Sequence, residues 1–220
     1  HDRARRDGHS ASRIRAPLWL ALALLSGELG ASVWALLIAY AIALETGPWT
    51  ARARSLWPHA LVTAGWAVLY AQSGAGTEAS VVYLHPLADL PAFALSFPKR
   101  ALVLLGAAFG PIPAELSFLG PARLMPLWLV VGALWLAAFA AVAGRALMAD
   151  RVARFWCLVV LLGVIPVTAS FPSDRLLTLV NFGAMALVAR ALIGLASSAL
   201  DPLKVAPQAG PLPLDSGPLA

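Results

Sequence analysis

An all-α, polytopic transmembrane bundle of about six spans is the fold class this sequence predicts, and three observations predict it. Of the 220 residues 60% are hydrophobic and only 12% charged, whereas a water-facing domain carries roughly 25% charged residues. Mean hydropathy is +0.78. The apolar residues also fall into long runs separated by short basic or Pro/Gly-containing connections, the pattern of about 20 apolar residues per helical crossing.

The opening stretch, residues 1–16, is polar and basic and reads as a cytoplasmic segment. It leads into the first span, 17–44, which opens at Pro17, ends before Gly47-Pro48 and is interrupted only by Glu28. Its apolar run is longer than the roughly 7–15 residues of a signal-peptide core, so a retained membrane helix is expected. The chain starts at His1 rather than Met, which suggests an internal portion of a longer protein. The second span, 56–71, has Trp57 and Tyr70 as interfacial anchors at its ends. Residues 72–98 form the longest connection, with a short interfacial helix expected from about Asp89 to Phe97.

The third span, 99–119, carries Pro111 and Pro113 near its middle and reads either as a discontinuous helix or as a re-entrant one. Spans at 124–144, 152–171 and 176–200 follow, with a kink expected at Pro166, and the Pro/Gly-rich tail 201–220 reads as disordered.

Positive charge orients such a chain. With six spans and a cytoplasmic N-terminus, eleven basic residues fall inside, Lys99, Arg100, Arg145, Arg151 and Arg154 among them, and four fall outside: Arg52, Arg54, Arg123 and Arg175. A third segment that did not cross would reduce the division to nine against six. The net charge of +5 is therefore assigned to membrane orientation, with no nucleic acid implied. Membrane lipids are the expected partners.

Few residues can carry chemistry. Glu28 lies near the centre of the first span, where an ionised side chain costs about 2.5–3.5 kcal/mol, so it is expected to face the bundle interior. Ala21, Ala31, Ser32 and Ala35 share its helical face and permit close packing. Two readings stand for Glu28: a site or ion-pair residue, or a protonated or hydrogen-bonded structural glutamate. Arg190 in the last span either snorkels to the nearby end or pairs with Glu28. Asn181 reads as interhelical glue. Arg175, in the turn between the last two spans, is a candidate contact for an anionic headgroup or phosphate. By the charge count it lies on the face opposite the His85-Pro86 loop.

No metal site is expected, since His59 and His85 have no ligand at suitable spacing. The lone Cys157 supports no disulfide, and no cofactor-binding motif occurs.

The passage Leu24-Leu25-Ser26-Gly27-Glu28, with its basic lead-in and following aliphatic helix, resembles an LLSKE-like motif in polytopic bacterial membrane glycosyltransferases of the GT-C type, with Gly27 in the place of the lysine. The segments YLHPLADLPAF and SFPSDRLLTLVNFGAMALVAR are similar to large bacterial membrane proteins of the same organisation. The resemblance implies an inner-membrane location and a polyprenyl-phosphate-linked sugar as donor. It also implies a catalytic acid in an external loop upstream of the matched region, so no residue here inherits that role and a missing upstream part would complete the protein. Whether these residues form an enzyme is left open by the sequence. The alternatives are a small transporter-like bundle, suggested by the proline-broken third span, and a structural membrane subunit without catalysis.

Overall fold

The computed structural model describes residues 10–73, 83–84 and 89–204. Among them the chain is helical with no strand. Eight α-helices are α1 (Ser10–Ser26), α2 (Val33–Ala43), α3 (Trp49–Gln72), α4 (Leu90–Phe109), α5 (Leu116–Leu119), α6 (Met125–Ala149), α7 (Arg151–Val167) and α8 (Thr178–Lys204), with 3-10 turns at Glu28–Ser32, Ala122–Leu124 and Asp174–Leu177. The tail expected to be disordered from 201 instead continues α8 through Lys204, while its remainder and the His85-Pro86 loop lie outside the described residues.

Three segments are long and apolar enough to cross a bilayer: Leu90–Phe109, Ala122–Arg145 and Asp174–Ser197. They place the chain among membrane proteins. Length and hydropathy support three crossings here, fewer than the six expected; Leu29–Ala43 is apolar but shorter. The outward surface agrees with a lipid solvent, for Trp19, Leu69, Leu134, Phe182 and Ile193 are all exposed. In such a solvent packing rests on close approach rather than on expulsion of water. The interior is accordingly built from small side chains, with Ala39, Ala153, Val159 and Ala184 fully buried.

The first expected span, 17–44, is not one helix. Gly27 adopts φ +152°, a backbone region that favours glycine, and the chain folds back so tightly that a Cβ on Gly30 would stand 2.5 Å from the carbonyl carbon of Ala23. Helix α1 packs along α3. Helix α2 runs antiparallel to α3, since the Trp34 Nε1–H donates to Thr63 Oγ1 (2.9 Å) near one end and Arg52 Nη1 donates to Ala41 O (3.0 Å) near the other.

The expected interfacial helix at Asp89–Phe97 and the start of the third span form one continuous helix, α4. Asp89 caps it by accepting from Ala92 N (3.0 Å), Pro91 occupies its first turn, and Pro98 is carried through with its ring exposed. It stops at Phe109 because Gly110 is extended ahead of Pro111, as the prolines predict. Its second half runs in the same direction as α6. Gly106 lies against Gly132, the Phe109 and Phe139 rings meet at 4.9 Å with a tilt of 43°, and Trp135 Nε1–H donates to Phe109 O (2.5 Å). Two successive helices that point the same way require residues 110–124 to return the chain to its starting end.

Helices α6, α7 and α8 alternate in direction. Asp150 turns α6 into α7 by accepting from Val152 N (2.9 Å). Gly163 faces Val180, and Gly183 faces Val160, so α7 and α8 are antiparallel. The same Gly163 reaches Ala35 while Arg151 donates to Ala43 O and Leu44 O (3.3 Å each), which makes α2 antiparallel to α7 as well.

These directions correct the charge map expected from sequence. Arg52 and Arg54 share an end of the bundle with Arg145, Arg151 and Arg154, whereas Arg100 sits at the other end, against residues 168–170. The cause is the extra reversal at Gly27, which hydropathy alone reads as continuous helix.

Candidate functional site

Helix α7 ends at Val167, and the segment 168–174 that follows gathers three remote parts of the chain. The last carbonyls of a helix lack intrahelical donors. In α7 the carbonyls of residues 164–167 are met locally by Thr168 N, Thr168 Oγ1, Ala169 N and Ser170 N, and Arg100 serves those from the C-cap Thr168 onward: its Nη1 donates to Thr168 O (2.8 Å), Ser170 O (2.9 Å) and Ala169 O (3.3 Å). Tyr83-Leu84 docks beside it, with Leu84 N donating to Ala169 O (2.7 Å). The chain just before His85 and the Asp174-Arg175 corner thus lie at one end, where the charge count had put them on opposite faces.

The third part is the return from α4. Glu115 Oε1 accepts from Ser173 Oγ (2.8 Å) and from Asp174 N (2.7 Å), while Asp174 Oδ1 accepts from Ala114 N (2.9 Å). Ser173 is buried. The Ser173 hydroxyl, aided by backbone N–H groups and opposed by burial, holds the Glu115 carboxyl below its ordinary range. A carboxylate depressed in the folded state adds stability above the unfolded-state range and loses it as pH falls through the folded value. Lowering the pH from about 5 to about 2 should therefore lower the thermal midpoint of the detergent-solubilised protein, and Glu115→Gln should flatten that slope; an unchanged slope in the variant would assign the acid limb to other carboxyls.

Beside this corner opens a wide cleft between the end of α1, the end of α3 and the start of α8. Leu25, Leu29, Leu69 and Phe182 give it apolar walls, and Ser26, Ser73 and Thr178 add hydroxyls. The 3-10 turn that carries Arg175 leads directly into its lining at Leu176. Arg175 is exposed, with its guanidinium 5.7 Å from the Phe171 ring centre.

The other sequence-derived candidates are dispersed. Glu28 opens the 3-10 turn beside the cleft, and its side chain lies outside the described ones. Arg190 is exposed rather than buried and pairs with Asp150 at the opposite end of the bundle, so the position offered to it by Glu28 is taken by an acid in the α6–α7 turn. Backbone N–H donation from Val152 and the charge of Arg190 outweigh burial and hold Asp150 below its ordinary range. Asp150→Asn keeps a capping acceptor and should cost under about 1 kcal/mol, the worth of an exposed pair. Asp150→Ala should cost about 1–2 kcal/mol by removing the cap as well, a difference readable in chemical or thermal unfolding. Asn181 is half-buried in α8, and its Oδ1 has no partner among the described residues.

Residues to which sequence reading gave no site role include Arg100, Glu115 and the buried Glu45; His59, weighed there only as a metal ligand, is buried midway along α3. Glu115 carried a signal, an acid directly after Pro113-Ala114 inside a predicted span. Among the described residues no group of His, Cys, Asp and Glu could hold a metal ion. Compared with known proteins, the chain matches no family model, no curated protein and no solved structure.

Proposed function

We propose that these residues form a membrane-embedded portion of a GT-C glycosyltransferase-like protein of a bacterial inner membrane, and that their task is to hold a polyprenyl-phosphate-linked sugar. The observation that carries the reading is the cleft between α1, α3 and α8, whose apolar walls and hydroxyl groups meet the Arg175 turn at one end of the bundle. An isoprenoid chain fits apolar walls, and an arginine is the side chain best shaped for a phosphate. Leu24, Leu25, Ser26 and Gly27 of the passage that resembles the family motif supply one wall of that same cleft. No residue here is assigned as the catalytic acid.

A photoreactive polyprenyl phosphate added to the purified protein tests this. Crosslinks are expected on residues 23–30, 66–73 and 176–182, and Arg175→Gln should weaken capture several-fold while leaving a neutral polyprenol unaffected. Labelling confined to the outer surface of α6 would overturn the reading.

The transporter-like alternative draws on the break at Gly110–Pro113, because discontinuous helices often frame substrate sites. That break is tied to the 173–174 corner by the Glu115 and Asp174 hydrogen bonds, which favours an anchored support over a moving gate.

A further inference from the structure

The helix directions sort the charged residues by end without reference to any topology rule. At one end stand Arg52 and Arg54 of α3, Arg145 of α6, Arg151 and Arg154 of α7 and Arg190 of α8, accompanied by Glu45 and Asp150. At the other stand Lys99, Arg100, Arg123 and Arg175 with Asp89, Glu115 and Asp174. The second end is nearly balanced, and Arg100 is occupied by three carbonyls.

The first end carries a surplus that is differently used. Arg52 and Arg151 donate to backbone carbonyls at the close of α2, which fixes α3 and α7 on either side of that helix. Arg54, Arg145 and Arg154 are exposed, and their guanidinium groups make no hydrogen bond or ion pair among the described residues.

We propose that this end is one continuous surface for anionic phospholipid headgroups, facing the cytoplasmic leaflet, and that α4 with its return segment enters and leaves the membrane from the opposite side. Each basic side chain near an anionic leaflet is attracted to its headgroups, and the surplus obeys the positive-inside bias. The α1–α2 hairpin starts and ends at the basic end, which brings Arg13 and Arg15 to the same surface. Helices α1, α2, α3, α6, α7 and α8 each run between the two ends. This inference does not depend on the glycosyltransferase reading.

Two measurements test it with the full chain. In a Cys157→Ser background, single cysteines are placed by Thr46→Cys, Ser96→Cys and Ala122→Cys, and spheroplasts are treated with a membrane-impermeant maleimide. Ser96→Cys and Ala122→Cys should label in intact spheroplasts, and Thr46→Cys only after lysis. The topology read from hydropathy expects the opposite for positions 46 and 96, so that outcome overturns the proposal, as does labelling of 46 and 122 from one side. Second, the protein in phosphatidylcholine nanodiscs should gain thermal stability when phosphatidylglycerol is added, less so in high salt. A triple variant with Arg54→Gln, Arg145→Gln and Arg154→Gln should lose most of that gain while keeping its midpoint in phosphatidylcholine. A gain equal in the variant and the parent would overturn the headgroup contact.

Discussion

Gly30→Val is expected to be among the most damaging single substitutions in this chain, because the chain reversal that sets the direction of α2 has no room for a side chain. A Cβ at Gly30 would meet the Ala23 carbonyl carbon and oxygen at 2.5 Å and Leu24 N at 2.7 Å, all of them backbone atoms that cannot rotate away. The branched side chain must therefore force α1 off the Glu28–Ser32 turn. A cost of about 3 kcal/mol, the upper part of the overpacking range, is expected, and with it a fall in midpoint on the order of 5–10 °C. Gly65→Ala provides the contrast. Nothing lies within 4 Å of a Cβ at Gly65 in α3, so alanine should be neutral or stabilise by about 0.5–1 kcal/mol through helix propensity. Thermal unfolding of the two variants in one detergent decides the matter; equal midpoints would show that the reversal at Gly27 is not a tight one.

Arg100→Met is expected to have the next largest effect. Methionine preserves much of the apolar stem and removes the guanidinium, which leaves Thr168 O and Ser170 O without their donor at the end of α7 and Ala169 O with Leu84 N alone. Hydrogen bonds from a charged group contribute about 1.5–3 kcal/mol, and unmade ones near lipid cost at the upper end of that range. The loss should not stay local. The 168–174 segment also receives Leu84 and the Glu115 return, so loosening it should raise proteolytic or hydrogen-exchange access at residues 110–119 as well as at 168–174. Arg100→Lys, which keeps a charge but not the planar fork, should recover part of the stability. If Arg100→Met changes exchange only in α4, the arginine is an interfacial anchor and not the cap of α7.

Much of the fold was legible in the residues. The membrane class followed from charge and hydropathy. The stop at Gly110-Pro111 and the helices near 124–144, 152–171 and 176–200 followed from apolar runs and proline, with boundaries that moved by a few residues in the structure. Three features were not legible. Gly27 sits in an apolar run where nothing in composition distinguishes a hinge from a tolerated glycine; only its φ of +152° does. Pro98 signals a boundary that the Asp89 cap and an exposed ring position override. Arg100 looks like an orientation charge, and its task at residues 168–170 depends on a partner nearly 70 positions away.

The candidate site divides in the same way. Arg175 and the Asp174 corner stood out as polar residues beside a membrane, but the cleft next to them is assembled from α1, α3 and α8 and has no sequence signature. Arg190 was recognisable as an arginine that needs a partner, and the partner proved to be Asp150 across the α6–α7 turn.

By itself the sequence determined the solvent of this protein, its helical class and the proline break after Gly110, because those depend on side-chain transfer and local backbone geometry. The tertiary structure alone decided which way each helix runs, which end collects the arginines and which helices wall the cleft. A reversal at one glycine changes the side of every residue up to the next reversal, and hydropathy, which is blind to direction, carries no record of it.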